Sequence, residues 1–161
     1  MPHLADGSPL FSAIIPAYNC QRYIARAVYS VLAQRGADVT LVAGNTAGLV
    51  DPAGVNVVHI GSAAQLRDAV SKHAPESNIL VMAAAVADFR PAQVATAKIK
   101  KGGASEPSSI DLVRNDDVLA GAVRSRTEGQ LPNMQAIVGF AAETGDANGD
   151  VLFHARAKLQ R

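Results

Sequence analysis

The sequence has few of the residues that would mark a disulfide-bonded, zinc-binding or membrane protein. Its single cysteine, Cys20, excludes an internal disulfide and a cysteine-based zinc site, and suits a reducing cytoplasm. Fifteen Lys and Arg against 14 Asp and Glu leave a net charge of +1, so no overall field attracts nucleic acid or an anionic membrane. No apolar run approaches the roughly 20 residues needed to cross a bilayer. We therefore predict a cytoplasmic protein that binds neither nucleic acid nor membrane.

The sequence instead alternates strand and helix patterns along a chain that is 48% hydrophobic. Such alternation predicts βαβ units, and hence an α/β, Rossmann-like three-layer fold with a mainly parallel sheet. Ser62 and Gln65 form a capping-box pattern at the start of one helix. The predicted strands are Phe11–Ala17, Val39–Val42, Val55–Ile60, Asn78–Val86, Ile110–Val113 and Ala136–Ala141, and the predicted helices are Gln21–Gln34, a helix from Ser62, a helix from Asn115 to about Arg124, and one from near Asp150.

Ligands of such folds bind beyond the carboxyl ends of the strands. The longest loop there, Asp88–Ser109, contains prolines, glycines and a lysine cluster, and it is predicted to be a mobile flap. Asp88 could accept hydrogen bonds from ribose hydroxyls, and Lys98 could neutralise a phosphate. Alternatively, Asp88 caps a turn and the lysines form a solvated loop surface, and spacing alone favours this second interpretation. His59 and His73 lack partners at metal-ligand spacing and are predicted to be structural or exposed.

Five separated strings, in this order, resemble phosphopantothenate-cysteine ligase, the ligase part of the bifunctional coenzyme A biosynthesis flavoprotein. They are MAAAVADFRP, AKIKK, LVRNDDV, VGFAAET and ARAKL, and the similarity extends over about Arg35–Arg161. The resemblance implies CTP-dependent ligation of 4′-phosphopantothenate and L-cysteine through an acyl-cytidylate, with Mg²⁺ screening charge. It implies no FMN site in this chain.

The resemblance also implies a set of site residues. Lys98 would be the catalytic group that meets phosphate, and no metal ligand is identified. The expected nucleotide-binding residues are Met82, Ala83, Ala84, Asp88, Lys98, Asn115, Asp116, Asp117, Val118, Phe140 and Lys158.

The beginning and end of the chain depart from the ligase pattern. The glycine-rich first turn and the Asn-x-Ser-Ser-Gly-Lys segment are absent, and residues 11–34 resemble the start of a family-2 glycosyltransferase. The family's second lysine and dimer contact would follow Arg161. We therefore expect one incomplete domain over residues 1–161, with a flexible start at 1–10 and without the dimer-forming part. A nucleotide-sugar transferase fragment and a non-catalytic Rossmann-like module are the alternatives.

Overall fold

In a computed structural model, the described part of the chain contains seven strands and three helices with described bounds, besides the helical residues Tyr29 and Ser30. The structure describes residues 11–18, 29–30, 37–46, 50–84, 86–98, 109–140 and 146–159. The strands are β1 Phe11–Tyr18, β2 Ala37–Gly44, β3 Asn56–Ile60, β4 Ile79–Met82, β5 Phe89–Pro91, β6 Leu112–Arg114 and β7 Ala136–Gly139; the helices are α1 Ala63–His73, α2 Val118–Thr127 and α3 Val151–Leu159, with a short 3-10 helix at Ala74–Glu76.

The main sheet has five parallel strands in the order β3-β2-β1-β4-β7. The strand β1 pairs with β2 on one side and with β4 on the other, so the direction of chain progression reverses at β1. In open α/β sheets this reversal opens a crevice beyond the carboxyl ends of the strands, where ligands bind. The predicted α/β, Rossmann-like class with a mainly parallel sheet is confirmed.

Both faces of the sheet are buried near its centre. Val42 and Leu80 pack against α1 and α2, in a cluster that includes Leu66. Val39 and Leu41 belong to a second cluster formed by alternate residues of β2. Because side chains alternate along a strand, burial of consecutive β2 residues means that both sheet faces are covered there.

The helix starts explain why α1 and α2 begin where they do. The Ser62 hydroxyl accepts a hydrogen bond from the Gln65 backbone N–H at 3.2 Å, and Gln65 Oε1 accepts one from the Gly61 N–H at 2.6 Å. These bonds confirm the capping role predicted for Ser62 and Gln65. The cap of α2 differs from the prediction: Asp117, not Asn115, accepts from the Ala120 N–H at 2.9 Å.

Two regions differ from the sequence-based expectation. The apolar strand predicted to reach Val86 ends at Met82. The predicted flap begins with β5, which pairs with β6 in an antiparallel ribbon outside the main sheet. Residues 99–108 of the flap lie outside the described residues, as does the helix predicted at 21–34 apart from Tyr29 and Ser30, which are helical. Within the described ranges, no helix is long and apolar enough to cross a membrane.

Candidate functional site

A cleft of about 1060 Å³ lies at the carboxyl ends of β2, β3 and β4. Its position next to the reversal of strand order is where this fold class binds ligands. The cleft has an apolar wall and a polar rim, and we call it the main cleft. It is lined by Gly44, Asn45, Thr46, His59, Ile60, Gly61, Ser62, Ala63, Gln65, Leu66, Ala84, Val86, Ala87, Phe89, Arg90, Pro91 and Asn115.

On the β4 side, the cleft is closed by residues 86–92, which contain β5, and by β6, which pairs with β5. We call these residues together the arm. Asn115, which directly follows β6, joins the two chain segments of this arm to each other. Its backbone N–H donates to the Asp88 carbonyl at 2.7 Å, and its side-chain Nδ2 donates to the Ala87 carbonyl at 2.8 Å. The Ala92 N–H donates to the Asp111 carbonyl at 2.8 Å. Hydrogen bonds at both ends of the ribbon thus join the two segments of the arm.

Arg90 is the cation of the main cleft. Its Nη1 donates to the Arg114 carbonyl at 2.9 Å and to Asn115 Oδ1 at 3.0 Å. Both bonds use one nitrogen, so among the described residues Nη2 and Nε keep their N–H groups available. A planar guanidinium fixed along one edge is suited to binding a phosphate or carboxylate with its other donors. Arg114 lies over the Phe89 ring, 5.4 Å from its centroid, and stiffens the same wall.

On the β2–β3 side, a histidine joins two residues of the segment between the strands. His59 Nε2 lies 3.2 Å from Asp51 Oδ2, and Nδ1 lies 3.1 Å from Thr46 Oγ1. An ionised carboxylate only accepts hydrogen bonds, so Nε2 carries a proton, and in the neutral ring Nδ1 accepts from the threonine hydroxyl. Asn45, just after β2, has a left-handed backbone with φ of 55°.

A second, smaller groove of about 480 Å³ lies between α1 and α2. Arg67 lies at this groove and pairs with Asp68 at 2.8 Å and with Asp116 at 2.7 Å. The hydrogen bond to Asp68, followed by that to Asp116, raises the pKa of the Arg67 guanidinium above its ordinary value, so it stays charged. The pair with Asp116 links α1 to the turn before α2, whereas the pair with Asp68 lies within α1.

The structure distributes the predicted site residues over several places. Ala84 and Asn115 line the main cleft, whereas Asp116, Asp117 and Val118 line the smaller groove. Met82 is buried, Ala83 is exposed beside it, and the Met82 carbonyl accepts from the Phe140 N–H at 3.3 Å. Asp88 and Lys98 are exposed and line neither depression, and the side chain of Lys158 lies outside the described residues. In the described part of the chain, no group of three acidic, histidine or cysteine side chains could hold a metal.

Comparison with known proteins identifies the family. Residues 24–161 match the family described as DNA/pantothenate metabolism flavoprotein C-terminal domain. The chain belongs to this family. It is similar to the coenzyme A biosynthesis bifunctional proteins CoaBC of Mycolicibacterium smegmatis, with 87% identity, and of Vibrio cholerae, with 43% identity, each over 135 residues and 84% of this chain.

The relatives are much longer than this chain. The aligned part spans 32% of the Mycolicibacterium protein and 31% of the Vibrio protein. A crystal structure of the C-terminal domain of a coenzyme A biosynthesis bifunctional protein CoaBC superposes with a TM-score of 0.63 at 27% identity, covering 95% of this chain and 73% of that one. The chain therefore spans about a third of the length of these curated relatives and aligns with part of the C-terminal domain in the crystal structure.

This family membership corrects several predictions made from the sequence. The matched family is the C-terminal domain of a flavoprotein, and its description names neither a ligase, nor CTP, nor magnesium. The flavoprotein family replaces the assignment to phosphopantothenate-cysteine ligase. Four predictions that depended on that assignment are therefore wrong: the CTP-dependent enzyme class, the requirement for CTP and Mg²⁺, the substrates phosphopantothenate and cysteine, and the lack of an FMN site. The glycosyltransferase resemblance was given for residues 11–34, and from residue 24 onward the flavoprotein family replaces it.

Sequence reasoning predicted Asn115 but missed two other polar residues that line the main cleft, Arg90 and His59. Arg90 lies inside the ADFRP string, but only Asp88 was selected from it because a carboxylate suits ribose hydroxyls. His59 was set aside for lack of partners at regular spacing, yet its partners Thr46 and Asp51 come from the preceding segment. The sequence did contain a signal for His59: it is a polar residue in a β-branched strand that follows a glycine-rich connection.

Proposed function

We propose that the main cleft binds a phosphorylated small molecule of coenzyme A biosynthesis, of the 4′-phosphopantothenoylcysteine type, with Arg90 at the phosphate. The relatives are named for coenzyme A biosynthesis, and the family for pantothenate metabolism. The observation that carries the proposal is the fixed guanidinium of Arg90 in a cleft at the reversal of strand order. The relatives are named bifunctional, and the proposed site would serve one of two such activities.

The geometry of Arg90 favours an anion. Its two intramolecular bonds orient the guanidinium before a ligand arrives, so little side-chain entropy is lost on binding. A hydrogen bond to a charged group contributes about 1.5–3 kcal/mol, which corresponds to about 10- to 150-fold in affinity. Loss of Arg90 should therefore have a large effect on a phosphate-bearing ligand.

The remaining surface of the cleft suits the rest of such a ligand. Ile60, Leu66, Val86 and Phe89 provide apolar wall for hydrocarbon groups, and the strands β2 and β4 are two strand spacings apart, or about 10 Å. A pantothenoyl chain combines hydrocarbon with amides and hydroxyls. It can therefore contact the apolar wall and the polar residues on both sides.

Flavin mononucleotide is a second source of the same phosphate chemistry, because the family description contains the word flavoprotein. Arg90 is a chemically suitable partner for its phosphate, and the apolar wall suits an aromatic ring system. A bound flavin would supply redox chemistry. The two ligands share the phosphate and differ in everything else, so they are distinguished by direct titration.

Calorimetric titration with 4′-phosphopantothenoylcysteine and, separately, with FMN tests the proposal. The unaltered chain should bind the pantothenoyl compound, and Arg90→Met should weaken binding about 10- to 150-fold. Arg90→Lys, which keeps the charge but loses the planar fork, should give an intermediate affinity. Arg126→Met, an exposed arginine on α2 outside both depressions, is the matched control and should bind normally.

Each titration result separates the alternatives. Binding of FMN alone, with a change in its visible absorption, would replace the pantothenoyl ligand by the flavin. A response to CTP with magnesium and to neither compound would contradict the proposal. Because Arg90→Met also removes contacts of the arm, its melting temperature is measured alongside; equal melting temperatures with different affinities support direct contact.

A further inference from the structure

The β2–β3 side of the main cleft holds a polar side chain with no assigned role. Asn45 lines the cleft and is exposed, and its carboxamide makes no hydrogen bond within the described residues. Its left-handed backbone, with φ of 55°, turns the chain sharply just after β2. Asparagine tolerates this conformation better than most residues other than glycine, so the residue type is compatible with the turn. The carboxamide offers both donors and an acceptor to a ligand.

His59 holds the segment that carries Asn45. Its ring contacts Thr46, the next residue, through Nδ1 at 3.1 Å and Asp51 through Nε2 at 3.2 Å. The ring belongs to a residue of β3 and thus contacts the segment after β2 at two residues, Thr46 and Asp51. Because both ring nitrogens are engaged in these contacts, His59 is better placed to fix the segment than to bind a ligand itself.

We infer that Asn45 contacts the ligand and determines specificity on the β2–β3 side of the cleft, and that His59 is its positioning residue. The inference rests on the proposed function, since it concerns the same cleft. Arg90 binds the phosphate on the side of the arm, and Asn45 binds an amide or hydroxyl of the ligand on the β2–β3 side of the same cleft. The ligand class is therefore a phosphate joined to a chain that bears amides or hydroxyls.

The variant Asn45→Gly tests the contribution of the side chain while the backbone conformation is kept. Glycine adopts positive φ without cost, so the turn is kept while the carboxamide is lost. Affinity for 4′-phosphopantothenoylcysteine should fall about 3- to 10-fold, the range of one neutral hydrogen bond. Affinity for inorganic phosphate, which contacts only Arg90, should not change. Equal affinity of Asn45→Gly and the unaltered chain for the pantothenoyl compound would overturn the assignment of Asn45.

A double-mutant cycle tests the role of His59. If His59 acts through Asn45, His59→Ala weakens binding in the unaltered background but has no further effect together with Asn45→Gly. His59→Gln, which can keep one of the two contacts, should restore part of the affinity. Equal losses in both backgrounds would overturn the positioning role, because His59 would then act independently of Asn45.

The outcome also separates this inference from the proposed function. A strong loss with Arg90→Met together with no loss for Asn45→Gly would leave the proposed function intact and overturn only the inference. No binding by the unaltered chain would overturn both.

Discussion

The sheet with its two helices and the arm of β5 and β6 are held together by different forces. Leu80 of β4 is completely buried, whereas in the arm Phe89 is 49% and Leu112 is 59% exposed. The arm is instead held by a three-residue ladder and by the bonds of Asn115. Apolar burial stabilises the core, while hydrogen bonds between its two segments give the arm its shape. The main cleft therefore has one wall that belongs to the stable core and one that can open locally.

Truncation of a core residue should have the largest effect on the free energy of unfolding. Leu80→Ala should lower the free energy of unfolding by about 3 kcal/mol, because a large side chain at the centre of the buried cluster leaves a cavity. Denaturant unfolding measures this. Leu112→Ala in the arm should change stability by less than about 0.5 kcal/mol. Similar losses for both variants would contradict the distinction between core and arm.

The second test adds an atom between β7 and α2 instead of removing one from the core. A Cβ at Gly139, the last residue of β7, would lie 2.6 Å from Leu119 Cδ2 of α2. Gly139→Ala should therefore destabilise the chain by about 1–2 kcal/mol, since the leucine must move. Gly121→Ala is the control: no atom lies within 4 Å of its added Cβ, and alanine favours the helix by about 0.5–1 kcal/mol. Thermal unfolding should shift in opposite directions for the two.

A smaller effect is expected at the helix cap next to the arm. Asp117→Ala should cost about 1 kcal/mol in unfolding free energy, because the Ala120 N–H loses its acceptor. Asp117→Asn keeps an acceptor and should retain most of the stability. Urea unfolding of both variants measures the difference. If asparagine is as damaging as alanine, the carboxylate charge rather than the cap matters.

Truncation of Asn115, two residues before that cap, should have the smallest effect on the free energy of unfolding of the whole chain and the largest effect on local opening of the arm. Asn115→Ala removes the bonds to the Ala87 carbonyl and from Arg90, both of which belong to the arm. Amide hydrogen exchange should rise at Asp88 to Ala92, while β2 and β4 stay protected. Asn133→Ala, which loses a bond to the Pro75 carbonyl, is the control and should leave the arm unchanged. Uniform loss of protection would show that the arm and core open together.

The parts of the fold that depend on local pattern were predictable. The β-branched runs, such as the one ending at Ile60, became parallel strands, and the Ser62 cap formed as the spacing indicated. Strand and helix ends were less predictable. The apolar run to Val86 leaves the sheet at Met82, because the next residues turn into the arm. Asn115 and Asp117 are both good caps by residue type, and only the backbone geometry selects Asp117.

The candidate site was predictable only in its location. The carboxyl ends of the strands follow from the fold class, and the main cleft lies there. Which side chains enter it depends on contacts between residues far apart in sequence, such as Arg90 with Asn115. The residues Asn115 to Val118 were all predicted to bind the same nucleotide, yet Asn115 lines the main cleft, while Asp116 to Val118 line the other groove.

The sequence by itself determined the α/β class, the parallel strands and the start of α1, because these depend on hydrophobic periodicity and on a cap within a few residues. The tertiary structure alone decided that Arg90 is fixed by Asn115, and that His59 joins Thr46 to Asp51. Such contacts form only after the strands have paired and the loops have come together at one edge of the sheet. Local pattern carries no information about them, since the paired residues lie 8 to 25 positions apart.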